Sequence, residues 1–92
     1  MTTFIATIVV MPQKEILDPQ GKAVALGLAN LGINDVADVR IGKNIILKLS
    51  AESMVFASRK VKLACDKLLA NLIMEEYTYE ILEESKYILK ME

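Results

Sequence analysis

The stretch Val36-Ala37-Asp38-Val39-Arg40-Ile41-Gly42-Lys43-Asn44-Ile45-Ile46-Leu47-Lys48-Leu49 constrains the fold more than any other. Two β-prone runs flank Gly-Lys-Asn, and the number of residues in the turn decides which face each side chain takes. A two-residue loop at Gly42-Lys43 sets Arg40 opposite Ile45 and Asp38 opposite Leu47, mixing charge with hydrocarbon on both faces. A three-residue loop, with Asn44 in the left-handed conformation, gathers Ala37, Val39, Ile41, Ile45, Leu47 and Leu49 on one face. The sequence therefore predicts a hairpin in the three-residue register. Its other face carries Asp38, Arg40 and Lys48 beside Val36 and Ile46.

Before the hairpin, Thr3 to Met11 is a β-branched run whose two alternating sets are both largely apolar, which predicts a strand covered on both faces. Asp18-Pro19-Gln20-Gly21 then opens a helix. Asp18 is the expected N-cap, accepting first-turn N–H groups, and Pro19 at the first helical position loses only an N–H that had no partner anyway. Val24, Leu28 and Leu31 recur at helical spacing, and Gly32 supplies a left-handed stop, so the helix is expected over 19–31. After the hairpin, Ser50 is the expected cap of a second helix that buries Met54, Ala57, Val61, Ala64, Cys65 and Leu68 and ends near Asn71. A last strand runs from about Met74 to Leu82. The order βαββαβ predicts an α+β, ferredoxin-like domain over 1–82: a four-stranded antiparallel sheet with two helices on one face. Residues 83–92 form a tail with no predicted structure.

A chain of 92 residues holds one core, and help from a partner is expected. More than half of the residues are apolar, and 11 basic against 12 acidic side chains leave a net charge of −1, which argues against bulk affinity for nucleic acid. A lone cysteine, Cys65, and no basic-then-apolar stretch ahead of the first strand are what a cytoplasmic protein is expected to show. No histidine is present, which removes the usual general base and the commonest metal ligand. Cys65 falls on the predicted buried stripe, so it reads as core packing. The late carboxylates Glu75, Glu76, Glu80, Glu83 and Glu84 and the basic set Arg59, Lys60, Lys62 and Lys67 read as solvated faces. Gly42-Lys43 is too short for a phosphate loop, and the aromatics are too few for an RNA-stacking sheet. No catalytic, cofactor-binding or metal-binding residue is predicted.

Three motifs remain in register: Asp18-Pro19-Gln20-Gly21, Val39-Arg40-Ile41-Gly42-Lys43, and Leu68-Leu69-Ala70-Asn71 followed by Glu76-Tyr77. Together they resemble the PurS family, the small subunit of phosphoribosylformylglycinamidine (FGAM) synthase in purine biosynthesis. The resemblance spans about Thr3 to Leu82 and departs from the family at Leu72, where proline usually follows the asparagine, and in the tail. It implies an accessory subunit, without catalytic residues of its own, of a glutamine-dependent, ATP-consuming ligase. Such a subunit joins the synthetase PurL to the glutaminase PurQ, supports ammonia transfer and self-associates; ATP, Mg and glutamine are used by the complex. The family residues carried over are Asp18, Pro19, Gly21, Arg40, Gly42, Lys43, Asn71 and Tyr77.

The competing class is a regulatory ligand-binding module of the ACT type, which shares the element order but is expected to place a glycine-rich turn where this chain has Pro12 and the Asp18-Pro19 cap. Independently of family, one helix layer covers one side of a sheet. Ile5, Val9, Met11, Val36 and Ile46 are then left on the other side as an apolar patch, the expected face of at least a homodimer.

Overall fold

A computed structural model describes residues 1–14 and 17–91; Glu15, Ile16 and Glu92 lie outside the described residues. The long β-branched run forms β1 (Thr2–Pro12), the central strand of a sheet ordered β2-β1-β3. Its neighbours, β2 (Lys43–Ala51) and β3 (Glu75–Glu83), both run antiparallel to it. On one face of β1, Phe4, Ala6, Ile8 and Val10 are at most 3% exposed. Against them packs α2 (Met54–Ala64) with a π-helical turn at Cys65–Leu69, contributing Ala57, Val61 and Cys65. Ala6 and Ala57, both 0% exposed, are small enough to let this helix and strand approach closely. Leu47 and Leu49 on β2 and Tyr79 and Ile81 on β3 flank the cluster.

The sheet has three strands, which overturns the four-stranded ferredoxin-like expectation. The missing strand is the first arm of the predicted hairpin: residues 33–42 are outside any strand, and 33–38 are exposed. The predicted turn is not a turn either. Asn44 lies within β2 opposite Val9, and Ile45 pairs with Ile8, not with a hairpin partner. Gly42 sits so close to β1 that a Cβ there would overlap Met11 Sδ and the Val10 carbonyl oxygen. This glycine allows the chain to graze the end of β1 and continue into β2; it does not reverse it.

The helix-start argument holds for α1 (Pro19–Asn30), where Asp18 is the N-cap and accepts from the Gly21 N–H. Leu31 is the C-cap, and Gly32, at φ +86°, takes the left-handed conformation that ends the helix. Of the α1 residues only Gly21 is buried, while Val24, Leu26 and the C-cap Leu31 are exposed. The expected pair of helices on one sheet face is therefore reduced to α2, since α1 does not pack there, and the molecule is flat, 51 × 35 × 14 Å. Ser50 is not the cap of α2: the strand continues through Ala51, and Ser53 caps instead, its Oγ accepting from Phe56 N–H at 3.4 Å. The tail contains α3 (Glu84–Met91), which lies against β1 and β3. No described helix is long and apolar enough to cross a membrane.

Candidate functional site

At the end of the sheet where Pro12 terminates β1, the three sequence motifs meet. Asp18 is the junction. Its Oδ1 accepts from Gly21 N–H at 2.9 Å, and its Oδ2 accepts from Ile41 N–H at 2.9 Å, so one carboxylate ties the start of α1 to the chain entering β2. These two amides, Gly21 first, hold the Asp18 carboxyl below its ordinary value, with Arg40 adding a smaller push in the same direction. Gly21 is required because a Cβ there would overlap the Val39 carbonyl oxygen. The Arg40 guanidinium donates through Nη2 to the Pro12 carbonyl, closing the junction from β1's side.

The third motif forms a turn between α2 and β3. Asn71 Oδ1 accepts from Ile73 N–H at 3.1 Å, its carbonyl accepts from Met74 N–H at 3.0 Å, and its own N–H donates to Glu75 Oε1 at 2.8 Å. An asparagine side chain closing onto its own backbone in this way makes a turn without proline, so Leu72 is accommodated. Gln13 fastens the turn to the end of β1, donating its N–H to the Met74 carbonyl at 2.9 Å and Nε2 to the Leu72 carbonyl at 3.0 Å. Lys43 reaches across to Glu75, Nζ to Oε2 3.7 Å.

Between these pieces lies a groove of about 470 Å³. Of the residues singled out from the sequence, Asp18, Pro19, Gly42, Lys43 and Asn71 line it; Gly21 and Arg40 do not. Tyr77 is elsewhere, on the α2 side, where its hydroxyl donates to Asp66 Oδ1 at 2.6 Å and its ring stacks on Tyr79 at 6.3 Å between centroids. That hydrogen bond raises the Tyr77 pKa and, with Lys62, lowers that of Asp66. Leu17, Met74 and Glu75 also line the groove and were not singled out as site residues. Leu17 stands one residue ahead of the Asp18 cap, but with Lys22 at the fourth helical position the sequence holds no apolar partner that would have marked it.

The candidate dimer face is divided. Ile5, Val9, Met11 and Ile46 lie on the sheet face away from α2, with Ile5 buried and Val9 and Ile46 exposed, while Val36 lies on the open 33–42 segment, off the sheet.

The chemistry available in the groove is that of binding. Asp18 is committed to two backbone amides, and its depressed pKa makes it a weak base. Cys65 is buried, and burial raises its thiol pKa, which keeps the thiolate scarce. Among the described residues no group of three or more His, Cys, Asp or Glu side chains is placed to hold a metal.

Comparison with known proteins points one way. The family model "PurS: Phosphoribosylformylglycinamidine (FGAM) synthase" matches residues 5–83. A Synechocystis phosphoribosylformylglycinamidine synthase subunit PurS is 48% identical over 66 residues, 72% of this chain and 66% of that protein, so the match spans just under two thirds of that relative. The Bacillus subtilis subunit PurS is 42% identical over 71 residues, 77% of this chain and 83% of that one. Among solved structures, a chain of PurLQS from Thermotoga maritima superposes with a TM-score of 0.82 at 34% identity, covering 89% of this chain and all of that one (100%). Bacillus subtilis PurS gives 0.77 at 40% identity, covering 87% of this chain and 99% of that one.

Proposed function

The chain belongs to the PurS family of FGAM synthase, and from that premise we propose that it is the accessory, non-catalytic subunit of this glutamine-dependent ligase in purine biosynthesis. It joins a PurL-type synthetase to a PurQ-type glutaminase and supports the passage of ammonia between them. The observation that carries this reading is the groove at the end of β1. All three family motifs converge on it, each is held by backbone hydrogen bonds, and no proton-transfer pair or nucleophile stands among the described residues there. Such a surface positions a partner; ATP, Mg and glutamine are handled by the other subunits, and the compartment is the cytoplasm. The Thermotoga relative comes from a structure of PurLQS, in keeping with this role. Family membership also decides against the ACT-type regulatory module.

Self-association belongs to the same proposal. The helix α1 and the extended 33–42 segment leave Val24, Leu26, Leu31, Ile33 and Val36 between 40% and 76% exposed, more apolar surface than a monomer of this size keeps in water. A second copy is the simplest cover. The test is co-purification: the tagged chain expressed with PurL and PurQ is expected to recover both in the presence of glutamine and nucleotide, and as a dimer or higher species by itself. Recovery of neither subunit would contradict the accessory role.

A further inference from the structure

The basic set Arg59, Lys60, Lys62 and Lys67 takes no part in the groove, and its surroundings set it apart from the chain's other cations. α2 turns Ala57 and Val61 to the core, so helical spacing puts Val55, Phe56, Arg59 and Leu63 on the opposite, outward ridge. There Val55, Phe56 and Leu63 are 60%, 45% and 61% exposed, and the Arg59 guanidinium lies over the Phe56 ring, 5.5 Å from its centroid. On one flank Lys60 donates Nζ to the Ser50 carbonyl of β2 at 3.0 Å; on the other, Lys62 reaches Asp66 at 3.1 Å and the Tyr77 hydroxyl of β3 at 3.4 Å. Lys67 follows, exposed, on the π-helical turn. We propose that this ridge docks an acidic, apolar helix of a partner protein. The inference rests on the reading that the chain holds other subunits, and it adds a contact surface apart from the groove.

Charge identifies the occupant. Residues 54–69 hold four of the chain's 11 basic side chains and one of its 12 acidic ones, Asp66, which Lys62 and the Tyr77 hydroxyl already occupy. Among the described residues Arg59, Lys60 and Lys67 make no ion pair, whereas Lys43, Lys48, Lys86 and Lys90 each pair with a glutamate. Solvated cations alone need no partner, but this ridge also exposes Phe56 and Leu63 on a helix whose other face is already buried. These two lie seven residues apart, about 10 Å along the helix, a spacing into which the side chains of a second helix can seat. A second copy does not fit. Ridge on ridge about a two-fold axis sets Arg59 and Lys67 among like charges, and the copy's Glu75, Glu80, Glu83 and Glu84 are each taken by one of its own lysines. A bilayer fits less well, because a helix lying on lipid keeps apolar and charged side chains on separate faces, and this ridge mixes them.

Binding of the full chain to purified PurL and to purified PurQ tests this, with the double variant Arg59→Glu, Lys67→Glu. Both side chains are exposed, so its urea midpoint is expected to match the parent's. Affinity for one of the two subunits is expected to fall by about tenfold or more, with about a threefold loss for Leu63→Ala and little change for Lys86→Glu, a charge reversal on α3. The parent's affinity for that subunit is expected to weaken as NaCl rises from about 50 to about 300 mM, and the double variant's to depend less on salt. Equal affinity of parent and double variant for both subunits, or as large a loss in Lys86→Glu, overturns the proposal. So does salt-independent binding by the parent, the readout that decides if the double variant does not fold. Binding to phosphatidylglycerol vesicles, or self-association, that falls in the double variant while subunit affinity holds gives the ridge to a membrane or to a second copy and overturns the proposal equally. A parent chain that binds neither subunit sinks the accessory reading itself, and the inference with it.

Discussion

The two helices α1 and α2 both carry apolar side chains, yet they are held in opposite ways. α2 is fastened by burial: Ala57, Val61 and Cys65 are 0% exposed against the inner face of β1. α1 is fastened by polar geometry at one end, through Asp18 and Gly21, and keeps its apolar side chains in water. The closed half makes a stable sheet. The open half carries the groove and a surface left for partners. A side-chain pattern thus states that a helix needs cover without stating that its own chain supplies it.

The contrast can be broken most forcefully in the closed half. Ile8→Ala removes a 0% exposed side chain from the centre of the core, and the expected loss is about 2–5 kcal/mol by urea denaturation. A loss within experimental error would mean that the closed half is not the stable one. The junction between halves comes next. Gly21→Ala drives a Cβ into the Val39 carbonyl and crowds Asp18 Oδ2 at 2.8 Å, for an expected cost of about 1–3 kcal/mol. Hydrogen exchange should show protection lost around α1 and Ile41 while the β1 amides keep theirs; loss across both together would show that the halves unfold as one.

A smaller, pH-dependent effect distinguishes the two kinds of fastening. The folded pKa of Asp18 lies below its ordinary 3.8, so its contribution is fully present above that value and is lost as pH falls through the folded pKa. Protection of the Gly21 and Ile41 amides is expected to fall in that acid range while the amides of α2 are unaffected, and Asp18→Ala should abolish the difference. The smallest effect belongs to the exposed face of α1: Leu26→Ala, at a position 69% exposed, is expected to change the stability of the isolated chain by no more than about 0.5 kcal/mol. A larger loss would show that α1 is already covered within one chain.

The elements with local causes were legible in the sequence: the two-sided apolar run of β1, the Asp18 cap and Gly32 stop of α1, and the Ala57-Val61-Cys65 part of the second-helix stripe, whose expected members Met54 and Leu68 are instead exposed. The path of residues 33–42 was not, because alternation along Val36–Ile41 tells which side chains share a face and says nothing of whether a strand lies beside them. Gly42 misled for a related reason: glycine serves tight turns and close approaches alike, and only the proximity of Met11 and Val10 separates the two uses. The Lys62–Asp66 pair has helical spacing and could be read, but its link to Tyr77 joins elements 11 residues apart. The groove was legible as residues and not as a place, since Met74 and Glu75 reach it through the Asn71 turn.

The central claim is that this chain acts by holding other subunits and performs no chemistry itself. The most direct measurement is glutamine-dependent FGAM synthesis by purified PurL and PurQ, titrated with the chain. The chain by itself is expected to be inactive, the two-subunit mixture weakly active or inactive, and activity should rise to saturation as the chain is added. Gly42→Val, which blocks the approach of this segment to β1 at the groove, should shift the titration to higher concentrations. A mixture of PurL and PurQ equally active with and without the chain would contradict the account.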